Sequence, residues 1–123
     1  NMQNYIEIFD FTKNPLAVYQ TASIYAMCSR EEGFPMVLLE AGCQGLPIIS
    51  YDIQFGPRTL IKDTVTGYII PDGNKEKFAE DLEKMMNDDN LREKMSENIR
   101  KDIPARFSEE VIMDKWIKII NSI

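Results

Sequence analysis

Two carboxylates in one short stretch are the residues best placed to do chemistry. Residues 29–47 read SREEGFPMVLLEAGCQGLP, and within them Glu32 and Glu40 lie eight positions apart. Were both on one helix, that spacing would separate them by about 12 Å along its axis. Two acids sharing a proton must be far closer, and a glycosidase pair sits roughly 5–9.5 Å apart. The spacing instead suits an extended ligand with a phosphate at its middle, one carboxylate accepting hydroxyl hydrogen bonds at each end. A nucleotide sugar (hexose, diphosphate, ribose) has that form. Between the two acids, Gly33 lets the backbone turn sharply and lets a ligand approach. Pro35 fits the first helical turn, where its missing N–H costs nothing. The amides of Met36, Val37 and Leu38 are then expected to project from the helix N-terminus, where free N–H groups and the positive end of the helix dipole suit a phosphate. Glu40 stands among Val37, Leu38, Leu39 and Ala41 and shares a helix face with Gln44. A carboxylate in such apolar company needs a partner. The residues alone leave a plainer reading open, with Glu40 a helix-surface residue and Glu32 a charge that favours the dipole.

The composition removes several other chemistries. The chain has no histidine, which excludes Ser-His-Asp and Cys-His catalysis and every zinc site that uses histidine. What remains is carboxylates, backbone amides, lysine and arginine. Net charge is −6 with no basic block, so nucleic acid is not an expected partner. No apolar run approaches the ~20 residues of a membrane span, and the opening NMQNYIEIFDF lacks the pattern of a signal peptide. Cys28 and Cys43 form no CxxC pair and sit in apolar surroundings, so both are expected to be reduced and buried. The 123 residues, 44% of them hydrophobic, suffice for one modest core.

The elements that must position the two acids follow from the pattern. Tyr5–Phe9 alternates and is rich in β-formers, which predicts a strand. Asn14 and Pro15 open a short helix over 16–21. The apolar run Ile24–Cys28 predicts a strand covered on both faces. Gly45 ends the central helix in the left-handed conformation, and Ile48–Ser50 is the next strand. Gly56-Pro57 leads into a helical turn over 58–62, and Tyr68–Ile70 is the last strand. Helices alone follow: one capped by Asn74 with Phe78, Ala79, Leu82, Met85 and Met86 on its apolar face, one carrying Leu91, Met95 and Ile99 and ended by Pro104, and one opened by Ser108. This alternation predicts an α/β layer with a mostly parallel sheet over 1–71 and a helical tail over 72–123. In such sheets ligands sit outside the carboxyl ends of the strands, here the loops 29–35, 50–57 and 71–74.

The motif SREEGFPMVLLEAGCQGLPIIS closely resembles the donor-site signature of the group 1 family of retaining GT-B glycosyltransferases. Ser29, Glu32, Gly33, Phe34, Pro35, Glu40, Ala41, Gly45 and Pro47 match its S-x-x-E-G-F-(G/P)-x-x-x-x-E-A and G-x-P pattern. FGPRTLI, TGYIIPDGN and the closing helices extend the likeness over nearly the whole chain. The resemblance implies a Rossmann-like partial domain of GT-B type, the donor-binding part of a cytoplasmic enzyme that transfers a hexosyl group from a nucleotide diphosphate sugar to a glycan or lipid-linked acceptor. It implies no cofactor and no metal, an acceptor bound by an N-terminal domain outside this chain, and association with the inner face of the membrane. It implies that Glu32 is catalytic and contacts the donor hexose, that Glu40 takes the ribose, and that the stretch Gly33, Phe34, Pro35, Met36 and Val37 faces sugar and diphosphate. Gly42 departs from the family, which often has methionine there, and so does Arg58, which is read as a phosphate ligand or a surface residue. The order 3-2-1-4-5-6 makes Tyr5–Phe9 strand 3 without its neighbour, so this strand is expected to pair abnormally, beside Ile24–Cys28 or with a second copy. The alternative function is a non-catalytic nucleotide-sugar-binding or interaction module of the same fold.

Overall fold

Three short parallel strands carry the architecture: β1 (Tyr25–Met27), β2 (Ile48–Asp52) and β3 (Gly67–Pro71), hydrogen-bonded in that order. The computed structural model describes residues 2–123. Tyr25 pairs with Ile48, and Ile48 with Gly67, which sets the register of the whole sheet. Parallel neighbours need crossovers, and helices supply them. The helices are α1 (Pro15–Thr21), α2 (Met36–Cys43), α3 (Pro57–Leu60), α4 (Lys75–Asn87), α5 (Asp89–Phe107) and α6 (Glu109–Ile120).

The central strand β2 is buried on both faces because successive side chains alternate. Ile48 joins Met27, Leu38, Leu60, Ile99 and Ile103 on the face covered by α2, α3 and α5. Ile49 joins Ile70, Phe78, Met85 and Met95 on the face covered by α4 and the start of α5. The closing helices α4 and α5 therefore supply five of these eleven core residues. The departure at Gly42 sits at this seam: a Cβ on Gly42 would lie 3.0 Å from Ile103 Cγ1 and 3.2 Å from Ile99 Cδ1, so both side chains would have to shift by a few tenths of an ångström to admit it.

The caps follow the sequence. The side chains of Asn14, Asn74, Asp88 and Ser108 accept from Ala17, Lys77, Leu91 and Val111 amides, and Gly45 takes φ 79° behind α2.

Four expectations fail. Tyr5–Phe9 is no strand. A 3-10 turn covers Gln3–Tyr5, residues 6–13 have no regular structure, and Ile8 and Phe9 are exposed. Alternation specifies a strand only when a ladder partner exists, and no described strand lies along this segment. Its pairing beside β1 does not occur either. Pro104 does not end α5, which runs on to Phe107. Proline removes one helical hydrogen bond, but buried Ile103 holds the turn before it, and Arg106 anchors the turn after it, donating to Leu60 O at 3.0 Å, to Thr59 O and to Asp102. Finally, Cys28 and Cys43 are free thiols and exposed. Cys43 sits on the outer side of α2, where burial first and then the Glu40 charge raise its thiol pKa.

Candidate functional site

The carboxyl ends of the three strands open into one cavity of about 520 Å³. Arg30, Glu31 and Glu32 enter it from the loop after β1, Asp52, Gln54 and Phe55 from the end of β2 and its loop, and Asp72 from the turn after β3. All three loops picked out by the sheet topology thus contribute. Glu32 is half-buried and has no hydrogen-bond or ion-pair partner among the described residues. It lies ahead of α2, not in it, so the helical spacing of the two acids does not apply.

Local packing holds that loop. Pro35 is fully buried at the N-cap of α2. Gly56 packs against it with φ 102°, where a Cβ would collide with the Pro35 ring, so the loops after β1 and β2 are locked together by a close approach only glycine permits. The Phe34 ring leans on Phe107 at the end of α5, with centroids 6.4 Å apart. Of the three amides expected to be free, Met36 N–H donates to Phe34 O and Leu38 N–H to Pro35 O, both at 2.9 Å. Those of Gly33, Phe34 and Val37 have no acceptor among the described residues. The anion-binding potential of the turn is thereby shifted toward the loop itself.

Glu40 lies apart from this cavity. It lines a smaller one of about 260 Å³ with Pro15, Leu16, Tyr19, Leu39, Cys43 and Gln44, which bears out the shared face of Glu40 and Gln44. The partner that its apolar company demands is Tyr19, whose hydroxyl donates to Glu40 Oε2 at 3.0 Å. Burial, then that hydrogen bond and the charge of Glu40, push the Tyr19 phenol up to about 12. Tyr25 stands beside both acids: burial first, then the charges of Glu40 and Glu32, raise its phenol. The Tyr19 ring meets the Tyr25 ring edge-on, with centroids 5.9 Å apart. Both carboxylates therefore act on the Tyr25 phenol, though each acid opens to its own cavity.

Arg58 is committed to Asp52, donating through Nε at 2.7 Å and again through its terminal nitrogen. Among the described residues no group of three or more His, Cys, Asp and Glu side chains converges to hold a metal ion, and no helix is long and apolar enough to cross a membrane. Sequence reasoning missed Tyr19, because it stands 21 positions from Glu40 with no local periodicity to link them, and it missed Gln54, Phe55 and Asp72. The loops that hold those three were legible, but nothing marked the individual side chains.

Comparisons with known proteins converge. The family model of glycosyl transferases group 1 matches residues 1–102. The amylovoran biosynthesis glycosyltransferase AmsD of Erwinia amylovora is 32% identical over 121 residues, 98% of this chain and 34% of that protein. The poly(ribitol-phosphate) alpha-N-acetylglucosaminyltransferase of Staphylococcus aureus strain COL is 26% identical over 122 residues, 99% of this chain and 25% of that protein. A crystal structure of a mutant S. aureus TarM in complex with fondaparinux, alpha-GlcNAc-glycerol and UDP superposes with a TM-score of 0.91 at 25% identity, covering 98% of this chain and 24% of that one. The chain thus spans about a quarter to a third of the length of these relatives. Its sheet and helices make up a Rossmann-like partial domain of GT-B type.

Proposed function

The chain belongs to the glycosyl transferases group 1 family, and from that premise we propose that it is the donor-binding part of a retaining hexosyltransferase. The donor is a nucleotide diphosphate sugar, with UDP as the nucleotide to try first, since UDP occupies the TarM structure. The observation that carries this reading is a half-buried, unpartnered Glu32 facing a cavity at the carboxyl ends of parallel strands.

Each residue then has a task. Glu32 accepts hydroxyl hydrogen bonds from the hexose and stands as the catalytic candidate, while Glu40 holds the ribose hydroxyls. Together they are the two acids of the E-x7-E motif. The amides of Gly33 and Phe34 in the loop and of Val37 in the first turn of α2 face the diphosphate, where preorganised donors stabilise the charge that builds on the leaving group as the hexose becomes oxocarbenium-like. Pro35 has no amide to give and fixes the turn instead, with Met36 beginning the helix behind it. Of the chain's own cations here, Arg58 is paired with Asp52, whereas Arg30 lines the cavity without an ion pair among the described residues and is available to the diphosphate, further cations coming from other parts of the parent enzyme. Those parts also bind the acceptor, a glycan or lipid-linked sugar of polysaccharide biosynthesis. The enzyme works in the cytoplasm, at the inner face of the membrane, without a cofactor or metal.

Calorimetry on the full-length protein tests the site. UDP is expected to bind, and Glu40→Ala is expected to weaken it by about tenfold, the effect of losing charge-assisted hydrogen bonds of 1.4 kcal/mol or more. Equal binding by both proteins, or no binding of any nucleoside diphosphate, would overturn the assignment.

A further inference from the structure

Glu40 meets no cation among the described residues. Among the described residues its side chain has one hydrogen-bond donor, the Tyr19 hydroxyl at 3.0 Å on Oε2, and it forms no ion pair. A carboxylate accepts at two oxygens, so this arrangement occupies one and leaves Oε1 without a protein donor. The phenol itself is held. It projects from the last turn of α1, a helix fixed at its start by the Asn14 cap and Pro15. Its ring is wedged edge-on against Tyr25 of the sheet. Three separate elements, α1, β1 and α2, therefore meet at one hydrogen bond between residues 21 positions apart.

From this geometry, and resting on the reading of Glu40 as the ribose ligand, we infer that Tyr19 is a positioning residue for donor binding. Its hydroxyl fixes the Glu40 carboxylate so that the other oxygen faces the ribose diol. An exposed glutamate on a helix otherwise samples several rotamers, and holding it in one removes that entropy before the ligand arrives. The phenol suits the task because it donates without neutralising the acid, as a lysine or arginine partner would. Burial and the bond to Glu40 also keep it protonated, its pKa pushed up to about 12, so it remains a donor throughout the physiological range.

A rival role has the opposite sign. If the Tyr19 hydroxyl stood where a ribose hydroxyl must go, it would compete with the ligand, and removing it would tighten binding. The two roles separate in a ligand comparison on the full-length protein. Affinities of UDP and of 2′,3′-dideoxy-UDP, which lacks both ribose hydroxyls, would be measured for the wild type, Tyr19→Phe and Glu40→Gln. Tyr19→Phe retains the ring and its contact with Tyr25, and Tyr19→Leu serves as a second variant lacking the donor. The expected result is a rise in the UDP dissociation constant of about three- to tenfold for both Tyr19 variants, as for loss of one charge-assisted hydrogen bond, with the dideoxy analogue bound as by the wild type. In turnover, KM for the donor should rise while kcat holds.

Equal weakening of both ligands would make Tyr19 merely structural, and tighter UDP binding would make it a competitor. No change would make its bond to Glu40 idle. Each of these overturns the inference while leaving Glu40 in place. A wild type that binds UDP and the dideoxy analogue alike would instead remove Glu40 from the ribose, and the inference would fall with it.

Discussion

Ile99 and Ile8 are the same residue in opposite circumstances. Ile99 is fully buried between α2 and the sheet, whereas Ile8 is 94% exposed. The contrast extends to their surroundings. Leu38, Ile48, Leu60 and Ile103 share a core cluster with Ile99, while Phe9 and Phe11, near Ile8, also lie open to solvent. Trp116 and Ile120 on α6 resemble the second group, more than half exposed. Apolar patterning by itself stabilises nothing. The free energy comes from surface removed from water, which requires a facing element, and α5 has one where the segment 6–11 does not.

The largest test of this contrast is Ile99→Ala. It deletes buried methyl and methylene groups beside Gly42, where there is no side chain to fill the space. The expected loss is about 2–5 kcal/mol, read by urea unfolding of the 123-residue chain. A loss below about 1 kcal/mol, the size of an ordinary surface change, would mean that the α2–α5 seam is not where the stability resides.

How far the fold could be read from sequence follows the same divide. β2 and β3 were legible because buried parallel strands are short, continuous apolar runs, and the helix starts because caps are local chemistry. Residues 5–9 were misread for the reason that makes them differ from Ile48–Ser50: both have the pattern, but only one has partners, and partners are not a local property. The continuation of α5 past Pro104 is not legible because Arg106 holds it through carbonyls of α3 that lie more than 40 residues away in the chain. The candidate site divides in the same way. Glu32, Gly33, Pro35 and Glu40 were visible as a motif. Tyr19 was not, since its bond to Glu40 exists only once α1 and α2 lie side by side.

A middle-sized effect is expected where α5 meets α3 through charge. Asp102 is nearly buried and pairs with Lys62 and Arg106. Burial pulls its pKa up, but the hydrogen bonds from Arg106 and then Lys62 outweigh that and leave it lowered. A folded-state pKa below the unfolded one means stability that is fully present above the unfolded value, near 3.8, and lost as the pH falls through the lower folded value. Asp102→Asn should therefore cost about 1–2 kcal/mol at neutral pH, a figure reduced for the exposure of its partners. The difference from wild type should shrink as the pH drops below about 4. A pH-independent difference would assign the effect to packing, and the seam would then be apolar throughout.

The smallest effect should come from the open region. Ile8→Ser removes an apolar side chain that lies almost wholly in water, so unfolding should shift by less than about 0.5 kcal/mol. This is the measurement most able to break the comparison, because the pattern over 5–9 is that of a strand and a strand edge seeks a ladder. If a second copy supplied one, Ile8 would be buried in solution. The substitution would then cost more than about 1 kcal/mol, and the unfolding midpoint of the unsubstituted chain would rise with protein concentration, as it must when folding and association are linked. A midpoint independent of concentration, together with a silent Ile8→Ser, leaves the segment unpaired and locates the stability of the chain in the sheet and the helices α2 to α5.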